Sequence, residues 1–226
     1  MKRLFSLVIV FILLFFAVGC SQLGKEESVR PPVRIAPGAM LMQLQERYTV
    51  ASAFEQADAV VRVKIGSWLG ENTEAHKTYF ETSVLECFKG NIPTKFTLMQ
   101  DGCSTVTQEG YPLFTAGNEL LLFLYEATNF QDYESAYWIA GAFTTIMDVA
   151  YDADGNRYYA DRYGIFCENF FGCLNYTAYT TVEEELVIEK SLRAYLNRVD
   201  PFFETMGYRF PYIYRGDAFE DYLKGL

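Results

Sequence analysis

Three segments of this chain alternate apolar and polar residues with a period of two, and a fourth has no polar face. Ala59 to Trp68 sets Val61, Val63 and Ile65 against Arg62 and Lys64. Thr78 to Phe88 sets Phe80, Thr82, Val84 and Glu86 against Tyr79, Glu81, Ser83, Leu85 and Cys87. Lys95 to Gln100 is a third short strand, and Asn118 to Tyr125 (NELLLFLY) predicts a central strand buried on both faces. An alternating strand can bury only one face, so the three must share a core with the fourth. A small closed or nearly closed antiparallel barrel achieves this without long exposed edges.

The rest of the pattern fits around that barrel. Tyr137 to Ala140 and Thr144 to Tyr151 are further strands, and Arg157 to Ala160 returns from a hairpin turn at Asp152-Ala153-Asp154-Gly155-Asn156. Met40 to Ala57 is helical at least from Thr49. Thr181 and Glu184 read as a capping box opening a helix that runs to about Arg198 and stops before Pro201. Its apolar stripe, Ile188, Leu192, Tyr195 and Val199, is expected to pack on the barrel.

The N-terminus carries an address. Lys2 and Arg3 form a positive n-region, and Leu4 to Val18 is an apolar run of about 15 residues, short of the roughly 20 that span a bilayer. Ala17-Val18-Gly19-Cys20 resembles the lipobox of bacterial lipoproteins, although Ala17 stands where Leu is preferred. The expected product is cut before Cys20 and carries diacylglycerol and palmitate on that cysteine. It is then held at the extracytoplasmic face of the cell membrane by more than one acyl chain. The parse that follows is 1–19 signal peptide, 20–39 tether with Pro31, Pro32 and Pro37, 40–200 barrel domain, and 201–226 aromatic C-terminal tail.

Three strand and turn motifs carry a second resemblance. They are Ala57-Asp58-Ala59-Val60-Val61-Arg62-Val63, then Val84 to Asn91 (VLECFKGN), then Gly117 to Leu124 (GNELLLFL). Their order resembles uncharacterised bacterial extracytoplasmic proteins with approximate patterns A-D-x-V-V, V-x-x-x-x-K-G-N and G-x-x-x-L-L-F-L. Those are similar in layout to the OB-fold barrel of tissue-inhibitor-of-metalloproteinase and netrin-like domains. The resemblance covers about 57–190 and implies a mainly β fold: a small OB-like antiparallel barrel with a short N-terminal helix and a C-terminal helix packed on it. The inhibitors act through a free N-terminal cysteine on zinc, which acylation of Cys20 blocks, so that activity is not carried over.

No constellation marks an active site. Four cysteines remain after Cys20, and an even count outside the cytoplasm suggests two disulfides in one of three connectivities. Cys167–Cys173 closes a short loop, which leaves Cys87 with Cys103. Free thiols are the alternative, and a four-cysteine zinc site lacks a C-x-x-C pair. Asp152, Asp154 and Asn156 imitate a calcium loop, but Arg157 and Tyr163 stand where Gly and a bidentate Glu are needed. No cofactor or metal is expected. The single histidine, His76, lies in a polar loop, and there is no G-x-S-x-G elbow or H-E-x-x-H.

Two aromatic clusters stand out, Tyr158, Tyr159, Tyr163, Phe166, Phe170, Phe171, Tyr176 and Tyr179, then Phe202, Phe203, Tyr208, Phe210, Tyr212 and Tyr214. They either complete the core or form a binding surface. The formal charge of −10 becomes −12 once Lys2 and Arg3 are lost, which excludes nucleic acid as a natural partner. It also leaves the lipid, not surface charge, to hold the membrane. The sequence thus points to a lipid-anchored binding or envelope-interaction protein without catalytic activity, whose partner is another envelope protein or a glycan. The alternative is an envelope glycan or peptide hydrolase using a carboxylate pair. Cys20→Ala is expected to abolish incorporation of labelled palmitate in growing cells; equal labelling of wild type and variant would contradict lipidation there.

Overall fold

The structure, a computed structural model, describes residues 48–107, 111–128, 133, 135–161, 182–205, 210 and 212–226. The segments expected to be signal peptide and tether, Cys20, Thr181 of the expected capping box, Cys167 and Cys173 lie outside these residues. The described residues form eight strands and four helices in the order α1 (Val50–Gln56), β1 (Ala59–Asn72), β2 (Lys77–Lys89), β3 (Lys95–Asp101), β4 (Glu119–Glu126), β5 (Ala136–Ile139), β6 (Ile146–Tyr151), β7 (Arg157–Asp161), α2 (Val182–Val199), α3 (Phe202–Thr205), β8 (Tyr212–Arg215) and α4 (Gly216–Gly225).

The first five strands close on themselves in the order β1-β2-β3-β5-β4, with β4 returning to pair with β1. The protein is therefore mainly β, built on a small OB-like barrel. One pairing departs from the antiparallel expectation: β3 and β5 run parallel, with Leu98 opposite Tyr137. That pairing joins the β1-β2-β3 meander to the β5-β4 pair, and β4 against β1 then shuts the cylinder. A wing of β6, β7 and β8 extends from β4.

The alternation sorts residues as the pattern requires. Val61, Val63 and Ile65 of β1, Phe80 of β2, Phe96 and Leu98 of β3, and Tyr137 and Ile139 of β5 fill the barrel interior. β4 is apolar on both faces because it has two cores to serve. Leu120, Leu122 and Leu124 point into the barrel. Leu121 and Phe123 face the other way, into a cluster with Val50 and Ala53 of α1, Tyr159 of β7, Tyr214 of β8, and Phe219 and Leu223 of α4. Each such side chain, fully removed from water, contributes about 1.5–3 kcal/mol.

Local chemistry sets the ends of these elements. Thr49 caps α1: its Oγ1 accepts from the Ser52 N–H at 3.1 Å, and Ser52 Oγ accepts from the Thr49 N–H at 2.9 Å. The Lys89 ammonium donates to the carbonyls of Phe54 and Glu55 at the other end of the helix, at 2.6 and 2.8 Å. Gly90 follows with φ +88, and a Cβ there would lie 2.2 Å from the Asp58 carbonyl oxygen, so the start of β1 can pass only a glycine. The Lys-Gly of the second motif and the Ala-Asp of the first are thus two sides of one junction.

The C-terminal segment after Pro201 is more than a tail. β8 pairs with β7, and α4 buries Phe219 and Leu223 under the wing. Tyr159 donates to Glu220 at 2.6 Å, and Arg157 pairs with the same carboxylate. Burial first, then the adjacent Glu220 carboxylate, pushes the Tyr159 phenol far above its ordinary range. Helix α2 lays Leu192 and Leu196 on Ala150, Tyr158, Ala160 and Ile213, with Ile188, Tyr195 and Val199 at the margin. It therefore packs on the wing more than on the closed barrel, and Leu196 joins the expected stripe.

The Asp152–Asn156 segment is a hairpin turn. Asp152 Oδ1 accepts from the N–H groups of Asp154 and Asn156, and its Oδ2 from Asn156 Nδ2 and the Tyr158 hydroxyl. Among the described residues no group of His, Cys, Asp and Glu side chains is arranged to hold a metal ion. The Cys87–Cys103 pairing is corrected: both thiols are free, Cys87 exposed and Cys103 buried. Cys103 contacts His76 just before β2, whereas Cys87 is near the end of that strand. About 10 residues at about 3.3 Å each separate them.

Leu122→Asp should unfold the protein, since a buried unpaired charge costs several kcal/mol against a total of about 5–15. Glu55→Ala on the exposed side of α1 should change stability by less than about 0.5 kcal/mol. A urea titration followed by circular dichroism distinguishes the two; a Leu122→Asp midpoint equal to wild type would remove β4 from the centre of the fold.

Candidate functional site: an aromatic row and a polar groove on the barrel face

Side chains that face out of the barrel on β2, β3, β5 and β4 line up across the strands. Tyr79 is opposite Met99, Met99 is opposite Trp138, and Trp138 is opposite Tyr125. Each lies next to a residue committed to the interior (Phe80, Leu98, Tyr137 or Leu124), which forces it outward. The row continues at both ends. The Tyr133 ring packs on Tyr79 at 4.8 Å between centroids, and Tyr48 and Tyr125 bring their hydroxyls to 3.4 Å. Trp138 packs against Tyr125 at 6.1 Å between centroids, yet is 49% exposed, the most exposed aromatic ring among the described residues.

At the Tyr79 end the row opens into a shallow groove lined by Glu71, Asn72, Thr73, Glu74, Tyr79 and Tyr133. Its wall is the tip of the β1–β2 hairpin. Asn72 Oδ1 accepts from the N–H groups of Glu74 and Ala75 at 3.1 and 2.9 Å, which shapes the tip. The loop after β3 latches this tip in place. Ser104 donates its N–H and its hydroxyl to the two oxygens of Glu71, and the Gly102 N–H donates to the His76 carbonyl at 2.7 Å. Lys77 and Asp101 form an ion pair beside it.

Cys103 sits inside that latch, with its Sγ 3.1 Å from Thr105 Oγ1 and 3.9 Å from His76 Nδ1. Burial pushes the thiol up. Hydrogen bonds from Thr105, His76 and the backbone outweigh it, and the group ends below its ordinary value. The side chain is fully buried, so this chemistry holds the loop together and offers no open nucleophile. His76 lies in the loop foreseen for it, but is half-buried, with φ +51, and packed beside that thiol.

The sequence pointed to other aromatics. Tyr158, Tyr159, Phe203, Phe210 and Tyr214 are buried and fill the wing, Phe202 and Tyr212 are half-buried, and Tyr163, Phe166, Phe170, Phe171, Tyr176, Tyr179 and Tyr208 lie outside the described residues. The one local signal of the row was an outward Trp138 between inward Tyr137 and Ile139. Comparison of the sequence with protein-family models and with curated proteins gives no match.

Removing the latch should loosen the groove without unfolding the barrel. Ser104→Ala is expected to raise amide hydrogen exchange at 71–76 severalfold while costing about 1–2 kcal/mol overall. Unchanged exchange at the hairpin tip would show that Ser104 does not hold it.

Proposed function

We propose that the protein is a lipid-anchored binding protein of the cell envelope that engages its partner on the β2–β3–β5–β4 face. The carrying observation is Trp138, a large aromatic left half-exposed in the centre of a row whose other members are covered or braced. An indole held there gives rigid contact area at little entropic cost, the usual reason for an anchor residue. The lipobox at Ala17 to Cys20 supports an extracytoplasmic, membrane-tethered location, and the acidic charge supports partners other than nucleic acid. No helix among the described residues is long and apolar enough to cross a membrane. Of the groove carboxylates, Glu71 has both oxygens engaged by Ser104. That favours binding over a carboxylate-pair hydrolase, which needs two carboxyl groups free to act on one bond.

The test is chemical crosslinking on intact cells. Wild type should give a discrete adduct that Trp138→Ala loses, with an unaltered melting curve. Val187→Ala, which trims the exposed apolar residue on α2, should keep the adduct. Equal adducts from wild type and Trp138→Ala would place binding elsewhere.

A further inference from the structure

The chemistry of the row and groove narrows what the partner can be. A protein interface of ordinary size buries about 800 Å² on each side and has an apolar centre. The other large apolar side chains exposed among the described residues are dispersed: Leu69 on β1, Leu85 on β2, Leu186 and Val187 on α2, and Leu226 at the terminus. Of these only Leu69, next to Gly70 opposite Tyr79, borders the row, at the end away from Trp138, and one leucine there does not make such a centre. Beyond Met99 and Tyr79 the row ends in a polar groove: the amide of Asn72, the hydroxyl of Thr73, the carboxylate of Glu74 and the phenol of Tyr133. An aromatic face beside mixed hydroxyl, amide and carboxylate groups matches a pyranose ring, which is apolar on its C–H face and hydroxylated at its rim.

Charge narrows it further. Glu71 and Glu74 in the groove and a formal charge of −10 repel phosphate- and carboxylate-bearing chains. With Glu71 occupied by Ser104, the groove has one carboxylate left to accept from hydroxyl groups, too little to demand a polycation. Length enters through the register. Tyr79 and Trp138 are two strand spacings apart, about 10 Å, so one sugar ring cannot touch both the groove and the indole.

We propose, resting on the binding reading above, that the β2–β3–β5–β4 face binds an uncharged polysaccharide chain, one sugar stacking on Trp138 and the chain continuing into the groove at Asn72, Thr73 and Glu74. The chain carries two tryptophans, and Trp68 is packed against the barrel core. Indole fluorescence of a Trp68→Phe variant therefore reports Trp138 alone.

The experiment titrates the full-length protein in detergent micelles with β-1,4-linked N-acetylglucosamine oligomers of one to six units, with a glucose hexamer, and with heparin as polyanion. Fluorescence should respond to an oligomer, with affinity rising at least tenfold from monomer to tetramer and then levelling. Trp138→Ala, followed by calorimetry, and Glu74→Gln should each weaken binding at least fivefold at an unchanged melting temperature. Heparin should give no response. A photo-crosslinker at Thr73 in intact cells separates the two claims. An adduct whose mobility shift is removed by glycosidase supports the carbohydrate. An adduct removed only by protease, with neither oligomer binding, overturns the carbohydrate and leaves the binding face. No adduct and no binding overturn both.

Discussion

The double burial of β4 is the constraint on which the rest of the structure depends. Leu120, Leu122 and Leu124 close the barrel from inside, while Leu121 and Phe123 anchor α1, the wing and α4 from outside. A strand with two apolar faces is stable only when both are covered. Pairing of β4 with β1 closes the cylinder, and its pairings with β5 and β6 attach everything else. The C-terminal segment is drawn in by the same logic: Phe219 and Leu223 complete the outer core, and Glu220 answers Arg157 and Tyr159.

Closure also creates the proposed binding face. Because β3 meets β5 in parallel, side chains from residues 79, 99, 138 and 125 fall into one line. The loop carrying Cys103 and Ser104 then fixes the hairpin tip that walls the groove. A rigid barrel thus presents a rigid row, and rigidity limits the entropy lost when a partner binds.

The sequence made the barrel legible because alternation is a local property: Val61, Val63 and Ile65 declare their face without knowledge of any partner strand. The β4 run was legible for the same reason. The aromatic row was not, because Tyr79, Met99, Tyr125 and Trp138 are far apart in the chain and only register unites them. The crowded aromatics at 158–159 and 202–214 drew attention by density, yet where they are described they are buried or half-buried. The pairing of Cys87 with Cys103 was inferred from counting, and strand direction defeats it by putting them at opposite ends of β2. The tail beyond Pro201 lacked a strong period, since a four-residue strand and a short amphipathic helix leave little pattern to read.

Hydroxyl-radical footprinting tests the proposed binding face most directly, by comparing the protein in intact envelopes with the purified full-length chain. Trp138 and Met99 should be strongly protected in the envelope and oxidised once purified, while Val187 on α2 reacts alike in both. Equal oxidation of Trp138 and Met99 in the two states would contradict a partner on this face.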